Sequence, residues 1–282
     1  MRFLSFLLAL ILVLGCVPVL AEQDPYRPVS GYDVKQTGVE YAQVQEITYY
    51  STTCEKERKF NLYLPVGYTE DKEYPVLYLL HGIGGDHREW TSGKPEVIVG
   101  NLVASGKAKE MIIVTPKIKA FHKDTVATGG YSPEMYAGFD NFINEITVDI
   151  MPYMAANYSV AEGRENTAIA GLSMGGRVAL YVGLSLPETF GYVGGFAPAP
   201  GLLPYAAEGG LFTEETFKAA DGYDTFILIC TGSEDEAVGI WPETYSNALT
   251  NNGTEHIFYK TPGAHNFFVW KNGLYHFAQN LF

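Results

Sequence analysis

Cysteine and positive charge are both scarce in this 282-residue chain. There are three cysteines, and Cys16 falls inside an apolar N-terminal run, so a disulfide-stapled scaffold is excluded. Cys230 ends the apolar stretch Phe226-Ile227-Leu228-Ile229-Cys230, and Cys54 and Cys230 read as two buried free thiols rather than a bridge. Lysine and arginine number 19 against 32 aspartates and glutamates, a formal charge of −13. That balance repels a phosphate backbone and excludes nucleic acid as a partner. Histidine, cysteine and aspartate nowhere fall at ligand spacing, so neither a metal nor an organic cofactor is expected. Internal repeats and low-complexity tracts are missing, and no feature calls for an obligate protein partner.

The ends of the chain read differently from its body. Met1 to Ala21 carries one positive charge at Arg2, an apolar run from Phe3 to Leu14, and small or apolar residues at Val19-Leu20-Ala21. This is the pattern of a signal peptide over residues 1–21, and it implies secretion. Two other readings fit the same run. One is a retained membrane anchor, and the other is a lipoprotein acylated at Cys16, since Leu12-Val13-Leu14-Gly15-Cys16 resembles a lipobox, with Leu14 bulky for its place. Residues 22–38, polar and punctuated by Pro25, Pro28, Gly31 and Gly38, read as an exposed lead-in, and residues 39–282 as one domain.

Within that domain, alternating residues predict antiparallel strands over Val39–Tyr50 and Lys59–Leu64. Short apolar runs then predict parallel strands at Val76–Leu80, Met111–Thr115, Thr167–Ala170, Tyr192–Phe196, Thr225–Thr231 and His256–Lys260. Helical spacing marks Val97–Ala104, Phe139–Tyr158, Arg177–Leu186, Trp241–Asn251 and Gly273–Phe282. The alternation predicts an α/β-hydrolase fold: about eight strands, mostly parallel, with helices on both faces and ligands bound at the strands' carboxyl ends.

Gly171-Leu172-Ser173-Met174-Gly175 sits at a strand-to-helix corner. A serine hydroxyl is a poor nucleophile unless a base takes its proton and a strained turn presents it, and the two glycines remove the side chains that would clash where strand meets helix. In a chain with 30 glycines the pattern needs support from context. Ser185, in Gly183-Leu184-Ser185-Leu186-Pro187, lacks the second glycine and reads as a helix-terminal serine. After the strand ending at Thr231 comes Gly232-Ser233-Glu234-Asp235-Glu236, whose three carboxylates spacing alone cannot separate. Of six histidines, only His265 follows the last predicted strand, in Thr261-Pro262-Gly263-Ala264-His265-Asn266, which makes it the candidate general base. His81-Gly82-Ile83-Gly84-Gly85 resembles a glycine-rich oxyanion loop, with the N–H of Ile83, or else of Gly82, joining that of Met174. Trp90, Tyr131, Trp241 and Trp270 lie in or beside loops at the same end and are candidate substrate contacts, with core or rim packing as the competing role. Long loops at 116–136 and 197–222 are expected to shape the pocket.

Three further segments, Tyr78-Leu79-Leu80-His81-Gly82-Ile83-Gly84-Gly85, Ile112-Ile113-Val114-Thr115-Pro116 and Ala168-Ile169-Ala170-Gly171-Leu172-Ser173-Met174-Gly175-Gly176, resemble the feruloyl esterase modules of bacterial xylanases in carbohydrate esterase family 1. Thr231-Gly232-Ser233-Glu234-Asp235 looks like that family's acid loop, and His265 with Phe267, Val269, Trp270-Lys271, Gly273-Leu274 and Phe277 like its histidine segment. The resemblance runs from about Tyr49 to the C-terminus. It implies a triad of Ser173, Asp235 and His265 and release of ferulate or related hydroxycinnamates from plant cell-wall polysaccharide such as feruloylated arabinoxylan. Asn266 departs from the aspartate common in the family, and Lys117–Tyr136 looks longer. Acetylxylan or siderophore esterases, and acyltransferases of the same fold, share the pattern and remain alternatives.

Overall fold

The computed structural model describes residues 24–123, 125, 132–205 and 209–282. The proposed leader, Cys16 and Tyr131 lie outside the described residues. Eight strands form one sheet in the order β1-β2-β4-β3-β5-β6-β7-β8. They are β1 (Val44–Ser51), β2 (Lys56–Tyr63), β3 (Val76–Leu80), β4 (Ile112–Pro116), β5 (Thr167–Leu172), β6 (Tyr192–Phe196), β7 (Phe226–Gly232) and β8 (Ile257–Thr261). β1 and β2 pair antiparallel, β2 meets β4 antiparallel, and every other pair is parallel. β3, β4 and β5 are buried along their whole length, as the apolar runs require of strands covered on both faces.

The chain leaves β3 for β4 on one side and returns to β5 on the other, so the sheet's switch point falls between β3 and β5. Loops there diverge and leave a crevice at the strands' carboxyl ends. The loop after β3 and the turn after β5 flank it.

The helices are α1 (Pro95–Ala104), α2 (Pro133–Asp140), α3 (Phe142–Asn144), α4 (Met151–Asn157), α5 (Met174–Ser185), α6 (Trp241–Asn251) and α7 (Phe267–Ala278). Three differ from the sequence expectation. α2 lies mostly in a segment read as loop; Ser132 caps it by accepting from Met135 N–H at 3.2 Å, and Pro133 suits its first turn. Between α3 and α4 the coil widens to a π-helix over Glu145–Ile150. Pro152 follows, and having no N–H it cannot continue the regular ladder there. α7 starts six residues earlier than expected because Asn266 caps it, accepting from Phe268 N–H at 2.9 Å.

Most of the described lead-in is exposed, and a few of its side chains anchor it. Tyr32 is buried, Tyr26 stacks on Tyr259 with ring centroids 4.3 Å apart, and Asp33 pairs with Lys271, so the segment is pinned across α7. Cys54 and Cys230 are buried and free, and burial pushes the Cys230 thiol up to about 12. It stays protonated and inert.

Candidate active site

Ser173 occupies the corner between β5 and α5 with φ +53° and ψ −118°, a conformation that costs a non-glycine residue energy and is kept only by its surroundings. Those surroundings are tight. A Cβ on Gly171 would lie 2.5 Å from the Gly175 backbone, and one on Gly175 would lie 2.5 Å from the carbonyl oxygens of Leu80 and His81. Only glycine lets β3, β5 and α5 approach so closely. Ser173 N–H donates to Phe196 O at 2.9 Å, which ties the corner to β6.

Two loops bring partners to this hydroxyl. The acid loop after β7 and the histidine loop after β8 are joined by Ser233 N–H to Thr261 O (2.8 Å) and Glu234 N–H to Gly263 O (3.0 Å). Asp235 Oδ1 accepts from the N–H groups of Ala237 (3.1 Å) and Val238 (3.3 Å), which orients the carboxylate. Its Oδ2 lies 2.7 Å from His265 Nδ1, and His265 Nε2 lies 2.9 Å from Ser173 Oγ. A neutral imidazole protonated at Nδ1 satisfies both contacts: it donates to Asp235 and accepts from the serine hydroxyl. The structure thus brings Ser173, His265 and Asp235 together. Among the three carboxylates of the acid loop it separates Asp235, with 1% of its side chain exposed, from Glu234 and Glu236, which point to solvent.

Met174 N–H opens α5 and has no intrahelical acceptor. Neither it nor Ile83 N–H has a partner among the described residues, and Ile83 lines the same cavity as Ser173. Gly82 is the exception among the oxyanion candidates. Its N–H donates to Glu89 Oε2 at 2.6 Å, so it is already committed and leaves Ile83 as the donor from this loop. His81 completes the brace: Nδ1–H donates to Gly82 O at 2.6 Å and Nε2 accepts from Ile118 N–H at 3.0 Å. Burial pushes its imidazole down to about 3, so it is neutral and can make both bonds.

The aromatic candidates fall out differently. Trp90 is fully buried with its indole N–H donating to Leu80 O at 2.9 Å, so it cannot touch a substrate. Trp270 is buried too and stands perpendicular to the His265 ring, centroids 5.0 Å apart, where it braces the imidazole instead. Trp241 lies one layer back, edge-on to Tyr205 at 5.1 Å. The cavity wall itself is formed by residues that composition did not single out, among them Tyr136, Asp140, Arg177, Leu203 and Tyr205. Tyr136 and Tyr205 come from the two long loop regions expected to shape the pocket. The cavity measures about 700 Å³.

α2 is held in place from a distance. Arg58 Nε pairs with Glu145 Oε1 at 2.9 Å inside the core, and its other nitrogens donate to Lys119 O at 2.7 Å and to Lys117 O. Ala120 N–H then donates to Gly138 O, and Asn141 Nδ2 to Ala120 O, both at 2.8 Å. The chain of bonds carries α2, with Tyr136 and Asp140, to the cavity.

The family described as "Putative esterase" matches residues 51–276. A CE1 ferulic acid esterase of the anaerobic fungus Anaeromyces mucronatus is 44% identical with a TM-score of 0.87, covering 90% of this chain and 96% of that one. The same enzyme in complex with ferulic acid gives 42% identity and a TM-score of 0.87, over 93% and 98% of the two chains. An endo-1,4-beta-xylanase/feruloyl esterase of Xylanibacter ruminicola is 30% identical over 251 residues, 86% of this chain but 32% of that protein. The chain therefore spans about a third of the length of that curated relative. With its fold, its serine corner and the match over residues 51–276, the chain belongs to the esterase family of α/β-hydrolases.

Proposed function

We propose that this chain is a secreted serine carboxylic ester hydrolase that releases ferulate or related hydroxycinnamates from plant cell-wall polysaccharide. The observation that carries the reading is His265, which reaches Ser173 Oγ at 2.9 Å with one nitrogen and Asp235 at 2.7 Å with the other. Ser173 attacks the ester carbonyl while His265 takes its proton. Asp235 favours the imidazolium that forms. The oxyanion is held by the N–H groups of Met174 and Ile83; a single such donor is worth about 3 kcal/mol of barrier. His265 then protonates the sugar's ester oxygen as its bond to the acyl carbon breaks, so that the sugar leaves as an alcohol. Water, activated by the same imidazole, hydrolyses the acyl-enzyme.

A cavity of about 700 Å³ beside Ser173 supports an aromatic acyl group over acetyl. The likeness to ferulic acid esterases points the same way. Comparing kcat/KM on methyl ferulate and on acetylated xylan tests it: a preference for acetyl groups overturns the acyl assignment. Product analysis with an added sugar acceptor separates hydrolysis from acyl transfer. Export rests on residues 1–21, and the mature N-terminus, read by mass spectrometry, is expected at Glu22; a lipid-bearing N-terminus at Cys16 overturns this.

A further inference from the structure

The loop that supplies Ile83 N–H turns on Gly82, where no side chain fits: a Cβ there would lie 2.9 Å from Leu172 Cδ1 and 3.6 Å from Ser173 Cβ. The residue packed against the nucleophile is therefore one with an intrinsically free backbone, and the two peptide groups that flank it need outside partners to stay in place. The peptide after Gly82 carries Gly82 O and Ile83 N–H on opposite edges, as a trans peptide must. Gly82 O accepts from His81 Nδ1–H at 2.6 Å and from Gly85 N–H at 3.1 Å, which closes the turn over residues 82–85. With that edge fixed, Ile83 N–H is turned outward.

The peptide before Gly82 is held by a single residue, Glu89, whose Oε2 accepts from Gly82 N–H at 2.6 Å. The Glu89 carboxylate lies against the loop: Oε2 would sit 2.2 Å from a Cβ on Gly85 and 3.5 Å from one on Gly82. Its own backbone is fixed. Glu89 N–H donates to Asp86 O at 3.1 Å, and the next residue, Trp90, is fully buried with its indole N–H on Leu80 O. Glu89 is not part of the cavity wall, so it reaches the reaction through Gly82 and not through the substrate. Its negative charge repels a developing oxyanion; what the loop uses is an acceptor at this reach.

We propose that Glu89 is a positioning residue for ester hydrolysis: by accepting from Gly82 N–H it locks the glycine and aims Ile83 N–H at the oxyanion formed when Ser173 attacks. The inference rests on the ester-hydrolysis reading above and adds the side chain that sets the oxyanion loop.

Three variants separate reach from charge. Glu89→Ala removes the acceptor, Glu89→Asp keeps the charge but draws it back by one methylene, and Glu89→Gln keeps the reach and an acceptor oxygen but drops the charge. Kinetics on 4-nitrophenyl acetate read the ester chemistry whatever the natural acyl group. Phenylboronic acid, whose tetrahedral serine adduct mimics the transition state, reads the oxyanion donors without turnover. Losing such a donor outright costs about a hundredfold to a thousandfold in kcat, and one left in place but misaimed is expected to cost about tenfold to a hundredfold. Glu89→Ala and Glu89→Asp should lose kcat by the smaller factor with KM within about threefold of wild type, because the interaction is made only in the transition state. The inhibition constant of phenylboronic acid should rise alongside. Glu89→Gln should stay within about fivefold of wild-type kcat, the difference between a charged and a neutral acceptor. Wild-type kcat in Glu89→Ala overturns the proposal, and so does a Glu89→Gln variant slower than Glu89→Asp, which would make the charge the working part. Should Glu89→Ala not fold, the order of the Gln and Asp variants decides alone. A wild type that cleaves neither 4-nitrophenyl acetate nor methyl ferulate overturns the ester-hydrolysis reading itself, a result distinct from an unchanged variant.

Discussion

Gly232 and Gly263 run backbone against backbone: a Cβ on Gly232 would lie 2.2 Å from the carbonyl oxygen of Gly263. This contact sets the acid loop against the histidine loop, so the spacing of Asp235 and His265 depends on a missing side chain. Gly232→Ala must push the loops apart, and misplacement by about 1 Å costs about a hundredfold in rate. The expected result is a fall in kcat of that order together with a lower melting temperature. Wild-type kinetics in the alanine variant would show that the two loops have room for a methyl group at this contact.

Ser173→Ala removes the attacking oxygen and leaves the fold intact. By comparison with serine proteases, kcat is expected to drop by about 10⁴ to 10⁶. Asp235→Asn is expected to cost about 10⁴, because an amide can hold the imidazole in the wrong tautomer. Labelling with a fluorophosphonate should vanish in the first variant. Retained labelling there would place the nucleophile elsewhere.

Acidification should weaken the protein through His81. Burial pushes its pKa down to about 3, whereas the unfolded chain takes up the proton near 6.5. Between those values the unfolded state binds more protons, so stability is complete above about pH 7 and declines as pH falls, by at most about 1.4 kcal/mol per pH unit from this group. His276, also pushed down by burial, acts with the same sign. Urea midpoints measured from pH 7.5 to 5 should fall, and His81→Asn should flatten the slope. Identical slopes in the two proteins would assign the effect to other groups.

Arg58 and Glu145 form an ion pair sealed in the core, with Tyr49 Oη donating to Glu145 Oε1 at 2.5 Å and Ser51 Oγ to Oε2 at 2.7 Å. Arg58→Met leaves that carboxylate charged, buried and short of its cation, at an expected cost of about 3–5 kcal/mol. It also frees the carbonyls of Lys117 and Lys119, which anchor the segment leading to α2. The double variant Arg58→Met, Glu145→Gln should recover a good part of the loss. Denaturant titration of both decides, and a loss below about 1 kcal/mol in the single variant counts against the pair as a structural clamp.

Much of the fold was legible because it is written in local patterns. The apolar runs of β3, β4 and β5, the glycines around Ser173 and the chain order of serine, acid and histidine all follow from short-range chemistry. α2 was not legible, since its eight residues carry little periodicity and its place depends on bonds from Ala120 and Asn141. Trp90 and Trp270 take the packing role that the sequence leaves open beside substrate contact, for a related reason: an aromatic side chain beside a loop can face the cavity or the core, and only packing chooses.

By itself the sequence determined an eight-stranded α/β sheet with a serine at a strained corner, and a histidine and an acid loop delivered after its last strands, because strand periodicity and turn glycines act over a few residues. Tertiary structure alone decided which of three carboxylates faces His265, that Gly82 N–H is already spent on Glu89, and that Asp140 and Arg177 meet in the cavity wall. Those contacts join residues up to 37 positions apart, and burial, which sorts buried Asp235 from its solvated neighbours, is a property of the assembled molecule.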